Sequence, residues 1–307
     1  MKEKIGNVVL NYQYYSGRDL YSDGPVEEEL LEIVQSHKEQ ELNQIIAGRK
    51  SWSILYHLSH VRSNIIESIP IGKQDRVLEI GAGCGAITGK LAQKAKQVTC
   101  IELSKQRSLI NANRNEQYDN IEILVGNFQD IERELDDAYD YVTLIGVFEY
   151  AQNYITAEDA YGAFLKLVMS HVKKGGQLVV AIENKLGLKY WAGCREDHIG
   201  TYYEGLEGYP RSEGVRTFSK KEWEAMLKQA GYTDYRFYYP YPDYKFPLVL
   251  YSDEYLPKCG ELNNNRMNLD RDCLELFDES RVYDTIIREG LYPEFANSFL
   301  ITIHHGE

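Results

Sequence analysis

Residues Val77–Leu91 read VLEIGAGCGAITGKL. A short apolar run ends at Glu79, glycines alternate with small residues at Gly81, Gly83 and Gly85, and a helical pattern follows at once. That is the pattern of a strand, a tight turn and a helix start. Glycine serves where the chain turns with positive φ or lets a ligand approach the backbone, and the following helix offers unpaired N–H groups. The stretch predicts a turn that holds a nucleotide-like ligand.

Outward from this turn, the pattern predicts strands over residues 76–80, 97–102, 121–125, 141–145 and 177–182, with helices over 86–96, 105–116 and 157–172. Short apolar strands separated by helices of this length imply a parallel sheet covered on both faces, joined by right-handed crossovers. A helix over 220–230 and strands over 234–239 and 298–304 continue it. The first 25 residues read as irregular, 26–47 as an amphipathic helix with an acidic first turn, and 51–69 as a second helix stopped before Pro70. Two stretches, 183–217 and 240–296, break the alternation, and loops this long are usually functional. The first leaves the carboxyl end of a strand, the edge where open α/β sheets bind ligands. The expected organisation is an N-terminal lid with helices over 1–70 and an α/β domain over 71–307, its insertions capping the cofactor cleft.

Composition narrows the function. Of the 307 residues 43% are hydrophobic, yet no run approaches the roughly 18 apolar residues of a membrane span. The N-terminus lacks the basic start and apolar run of a signal peptide. Five cysteines, with no CxxC pair, predict a reduced, cytoplasmic chain without structural zinc. A net charge of −13 and the lack of any dense Lys/Arg block argue against binding to nucleic acid. No carboxylate or histidine cluster has clear ligand spacing, so no metal ligand is assigned, and whether a metal assists stays open.

The turn itself fits more than one ligand. A phosphate loop fails, because the Gly89–Lys90 pair would need glycine at Cys84 and Ser or Thr at Leu91. The dinucleotide pattern survives, since Gly81, Gly83 and Ala86 satisfy it and Glu102 lies about twenty residues on. Tyr241 and Lys245 have the YxxxK spacing of some reductases, but Pro242 lies between them.

The ordered motifs at four strand ends discriminate further. Glu79-x-Gly81-x-Gly83-x-Gly85, Glu102 in VTCIELS, Gly126-Asn127-Phe128 and Gly146-Val147-Phe148-Glu149 together resemble the class I S-adenosylmethionine-dependent methyltransferases. The resemblance covers roughly residues 76 to 182 and implies a Rossmann-like, seven-stranded, mostly parallel sheet in the order 3-2-1-4-5-7-6. It implies S-adenosyl-L-methionine as cofactor and S-adenosyl-L-homocysteine as product. By the same resemblance Gly81, Ala82, Gly83 and Gly85 would line the cofactor, with Glu79 ordering the loop. Glu102, followed by Leu103, would accept the ribose hydroxyls, Asn127 and Phe128 would meet the adenine, and Gly146 and Val147 the methionine part. Asn127 departs from the Asp that the family often carries. Tyr21, with Tyr14 and Tyr15, is expected in a lid over the cofactor, and Arg62 either pairs with the cofactor carboxylate or is a solvated helix-face residue.

Residues 77–130 also resemble the ribosomal adenine dimethylases, but the Asn/Asp-Pro-Pro-Tyr type of motif that holds a target nitrogen is replaced here by Gly146-Val147-Phe148-Glu149. The run AIENKLGLKYWAGCREDH is more loosely similar to methyltransferases of bacterial glycan and secondary-metabolite pathways. A small-molecule or saccharide-like acceptor, methylated at oxygen, is therefore expected. Methyl transfer rests mostly on alignment, and a base is needed only for an acceptor that holds its proton tightly. His198 is the candidate base and Glu149 the second. Trp191 and the tyrosines of the insertions are candidates to line the acceptor pocket. The alternatives are an N-methyltransferase acting on RNA or peptide, a noncatalytic cofactor-binding regulator, and an NAD-dependent oxidoreductase.

Overall fold

The computed structural model describes all residues except 20, 136–138, 266–270 and 307. Its strands are β1 (Lys2–Ile5), β2 (Val8–Tyr14), β3 (Arg76–Ile80), β4 (Gln97–Glu102), β5 (Ile121–Gly126), β6 (Tyr139–Ile145), β7 (Val172–Glu183), β8 (Tyr235–Tyr241), β9 (Val249–Ser252) and β10 (Ser298–His304). The chain forms two compact units. One holds residues 1–144 and 170–178, the other 145–169 and 179–306, so that β7 runs through both.

In the first unit the strand order is β1-β2-β5-β4-β3-β6-β7. Strands β3, β4, β5 and β6 pair in parallel, with Val77 beside both Val98 and Tyr141. The middle of β3 is fully buried, as a strand covered on both faces must be. In the second unit the order is β7-β10-β8-β9, and β10 runs antiparallel to β8. Counted from β3, the strands read third, second, first, fourth, fifth, then seventh and sixth, which is the expected order.

Three local expectations need correction. The first 25 residues contain a hairpin, β1 and β2, and β2 lies parallel to β5, so among the described residues two strands are added beside the third strand of the expected seven. The expected helix over 26–47 is broken: Val26–Ser36 ends at an extended His37, and Leu42–Arg49 follows. The second N-terminal helix is likewise short, Trp52–Leu58, before a 3-10 turn from His60 to Ile66. These short pieces are fixed by packing, since Leu30, Ile33, Val34, Leu42, Ile54 and Leu58 share one buried cluster.

A fourth correction concerns the cysteines. Cys194 and Cys273 form a disulfide across 79 residues, so the chain is not fully reduced. Such separation leaves no local spacing signal. Both long insertions belong to the second unit, where they contain the helices Leu188–Trp191, Glu279–Arg288 and Tyr292–Phe295 as well as β9.

Candidate active site

The glycine turn leaves β3 and enters the helix Thr88–Lys94. Gly81, Gly83 and Gly85 all have positive φ, at 74°, 52° and 77°. Each has a different need for glycine. A Cβ on Gly85 would stand 2.5 Å from Asn111 Oδ1 and 2.7 Å from Asn115 Nδ2, so this position is required for helix packing. A Cβ on Gly83 would meet nothing within 4 Å, and the turn is open there.

Glu102, at the end of β4, holds the open part of the turn. Its Oε2 accepts the Gly83 N–H at 2.7 Å and its Oε1 accepts the Ser104 N–H at 2.9 Å. Burial pushes its carboxyl upward, against the pull of these bonds and of Arg107. Each oxygen keeps a second acceptor position, so the carboxylate can still take hydroxyl donors. Leu103 is half-buried beside it and Ala82 is buried.

Glu79 faces inward, where its Oε2 accepts from Thr88 Oγ1 at 2.6 Å and from Cys100 Sγ at 3.4 Å. It ties β3 to the helix that follows and to β4. Burial raises its carboxyl to about 7. Arg62, which the sequence leaves between a ligand role and a solvated helix face, is only 7% exposed. Its Nη1 donates to Tyr56 O at 3.3 Å, the guanidinium stacks on the Tyr56 ring, and its buried Nε has no hydrogen-bond partner.

Asn127 caps the short helix Phe128–Ile131, its Oδ1 accepting the Gln129 N–H at 3.2 Å. Phe128 is buried with its ring edge against His171. At the start of the helix Lys105–Arg114 that follows β4, Asp19 accepts from Ser104 Oγ and from the N–H groups of Lys105 and Gln106. Tyr21, half exposed, lies with its ring 4.4 Å over the Arg107 guanidinium, and Arg107 pairs with Asp23 and Glu27. The segment before the first helix is thus fastened to the end of β4.

A second constellation lies wholly in the other unit. Gly146, at φ 70°, faces Tyr244, whose hydroxyl would be 2.8 Å from an added Cβ. Tyr244 donates to Glu183 Oε1 at 3.3 Å. Glu183, the last residue of β7, also holds His198 Nε2 at 3.2 Å and Lys245 Nζ at 2.5 Å. Glu149 Oε1 stands 3.9 Å from His198 Nε2, so the two sequence candidates are brought together. The other His198 nitrogen, Nδ1, bonds the Tyr150 hydroxyl at 2.9 Å. Glu196 holds the loop by accepting the His198 and Ile199 N–H groups.

Behind this triad, Lys245 also reaches Asp197 at 2.5 Å, and Lys189 pairs with Asp197 and Asp243 at 2.9 and 2.8 Å. All of these side chains are buried or nearly so. Burial pushes Glu149 upward, and the adjacent Glu183 adds to this. For Glu183 burial is outweighed by Lys245 and His198, which hold it well below the usual carboxylate range. Burial lowers His198, but Glu183 and Glu149 outweigh it and raise the imidazole to about 9. His198 therefore holds its proton more tightly than a free histidine, between the carboxyl groups of Glu183 and Glu149. Glu149 Oε2 is buried with no hydrogen-bond partner.

The sequence reading missed Glu183, Asp197, Lys189 and Asp243 and set Lys245 aside. Lys245 follows a turn after β8, and no local pattern links it to the end of β7; only tertiary packing does. No ligand spacing in the sequence marks the cluster, but one ligand atom each from Glu149, Glu183 and His198 lie within 4.8 Å of one another in the fold. Trp191 is 45% exposed, its indole N–H donating to Leu186 O at 3.2 Å.

A family model described as a methyltransferase domain matches residues 55–236. The chain belongs to this methyltransferase family, and it is a class I S-adenosylmethionine-dependent enzyme with the Rossmann-like fold. An uncharacterized methyltransferase of Staphylococcus carnosus is 28% identical over 156 residues, covering 50% of this chain and 67% of that one. The ribosomal RNA small subunit methyltransferase A of Leuconostoc mesenteroides is 38% identical over 65 residues, 21% of this chain and 22% of its own length. This chain therefore spans only about a fifth of that relative. Among solved structures, a chain of the Haloferax volcanii complex containing the Trm112 methyltransferase activator superposes with a TM-score of 0.50 at 17% identity, covering 87% of this chain and 98% of that one. The residues present fit the cofactor: an open glycine turn, a buried carboxylate with free acceptor positions, and an arginine Nε without a partner.

Proposed function

We propose that the enzyme methylates a small-molecule or saccharide-like acceptor at oxygen, with Glu149 and His198 at the point where the acceptor gives up its proton. The observation that carries this reading is Glu149 Oε2, a buried carboxylate oxygen with no partner, three residues after Gly146. S-Adenosylmethionine supplies an electrophilic methyl group on a sulfonium. The chain's own residues bind and align. Gly81, Ala82, Gly83 and Gly85 give backbone access, Glu102 takes ribose hydroxyls, Leu103, Asn127 and Phe128 flank the adenine, and Gly146 and Val147 meet the methionine part. Arg62 Nε is the donor for the cofactor carboxylate, and Tyr21 a residue of the lid.

In this reading His198, which donates toward Glu183 and is held charged, orients the acceptor and steadies negative charge, whereas Glu149, raised by burial and with an oxygen free of partners, takes the acceptor proton in its deprotonated form. The test is methyl transfer from labelled S-adenosylmethionine to panels of sugars and hydroxylated small molecules, with Glu149→Gln and His198→Ala alongside. Turnover at oxygen that falls at least about a hundredfold in Glu149→Gln supports the reading. Near-normal turnover in both variants contradicts it.

One observation favours a second reading, an acceptor nitrogen on RNA, namely the likeness to a ribosomal RNA methyltransferase. Against it stand the net charge of −13 and the glycine-valine-phenylalanine run at the fourth strand end. Among the described residues no helix is long and apolar enough to cross a membrane. A cytoplasmic location belongs to this proposal as well. The Cys194–Cys273 disulfide bears against it, because cytoplasmic thiols are ordinarily kept reduced.

A further inference from the structure

We propose that Glu149, Glu183 and His198 form a binding site for one divalent metal ion. Three features of the cluster point there. The first is spacing: ligands about 2.1 Å from a shared ion lie about 3.0 to 4.2 Å apart. His198 Nε2 is 3.2 Å from Glu183 Oε2 and 3.9 Å from Glu149 Oε1. Three ligand atoms from these residues fit within 4.8 Å.

The second feature is the unpartnered oxygen. Glu149 is 1% exposed, and its Oε2 lacks any hydrogen-bond donor. A buried carboxylate oxygen left unpaired is costly, and an ion at the cluster would remove that cost. The third is charge. Five carboxyl groups, from Glu149, Glu183, Asp197, Asp243 and Glu196, face the two ammoniums of Lys189 and Lys245, and such an excess of acidic groups suits a bound cation.

The surrounding bonds also suit ligation. Tyr150 holds His198 Nδ1, which fixes the ring with Nε2 turned toward the carboxylates. Lys245 occupies Glu183 Oε1, and the ion would take the place of the hydrogen bond that now joins Glu183 Oε2 to His198 Nε2. Two carboxylates and one imidazole are a hard to borderline donor set, suited to manganese, magnesium or zinc. A bound dication acidifies an oxygen ligand, so an acceptor hydroxyl on it would need no side-chain base; this last step rests on the oxygen-acceptor reading, while the site itself does not.

Manganese(II) titration of the full chain, without cofactor or acceptor, tests the site by counting free ion in electron paramagnetic resonance. One saturable site per chain is expected, weakened at least about tenfold in Glu149→Gln and in His198→Ala. In the wild-type complex itself, electron spin echo spectra should show coupling to an imidazole nitrogen, which needs no variant to fold. No saturable binding at millimolar ion, binding indifferent to both substitutions, or a complex without nitrogen coupling overturns the proposal. Methyl transfer that persists in chelator would then leave the methyltransferase reading standing.

Discussion

Glu79 is hydrogen-bonded by a hydroxyl and a thiol, and burial lifts its carboxyl from the usual 4.5 to about 7. Its proton is therefore bound more tightly in the folded chain than in the unfolded one. The stability it contributes is complete below about pH 4.5 and is lost as pH rises through about 7. Against Glu79→Gln, which cannot titrate, the stability advantage of the wild type should fall by on the order of 3 kcal/mol between pH 5 and pH 8. Urea unfolding at both pH values measures it, and a constant difference would show that Glu79 is not held neutral. Glu102 carries a separate expectation. Its replacement by Ala should weaken S-adenosylhomocysteine by about 2 kcal/mol or more, read by calorimetry, because bonds to an ionised acceptor are lost; unchanged affinity would remove it from the ribose role. Glu79 and Glu102 were both legible because each lies at or one residue before the end of an apolar strand. Glu183 ends a strand too, but nothing local marks it, since its partners His198, Tyr244 and Lys245 come from other segments.

At the scale of elements, the glycine turn and the helix Lys105–Arg114 are locked together by the Asn111 and Asn115 amides against Gly85. Gly85→Ala adds a clash to a positive φ, whereas Gly231→Ala, at a helix C-terminus with open space around it, adds only the backbone strain. Gly85→Ala should thus cost the larger amount, about 2–4 kcal/mol against about 1 kcal/mol, in thermal or urea unfolding; the reverse order would contradict the packing described. The Cys194–Cys273 link closes a long loop, and Cys194→Ser should lower stability by about 2–4 kcal/mol. Peptide mapping without reductant should recover the two cysteines joined, and free alkylation of both would refute the link. The elements that sequence reading located well are those with a strong period: β3, β4, β10 and the helix Lys220–Ala230, with its Ser219 capping box and Gly231 stop. The N-terminal hairpin was missed because β1 is exposed and rich in lysine and glutamate, and β2 mixes tyrosine, asparagine and glutamine with its apolar positions. Pairing of β2 with β5 on one side and β1 on the other, not local pattern, makes these residues strands.

For the whole molecule, the cofactor class was legible because the family spaces its motifs along successive strand ends, where sequence order and spatial order coincide. The acceptor end was legible only in part. His198 and Glu149 were identified from their loops, but the ion-paired shell that sets their charge is built from residues 183 to 245 and has no linear signature. In the proposed division of work, Glu102 and the glycine turn hold the cofactor, and the Glu149–Glu183–His198 cluster handles the acceptor. Calorimetric titration with S-adenosylhomocysteine of the wild type, Glu102→Gln and Glu149→Gln tests that division most directly. One site is expected in the wild type, with at least about tenfold weaker binding in Glu102→Gln and near-normal binding in Glu149→Gln. Equal affinity in wild type and Glu102→Gln, or loss of binding in Glu149→Gln with its fold intact, would contradict it.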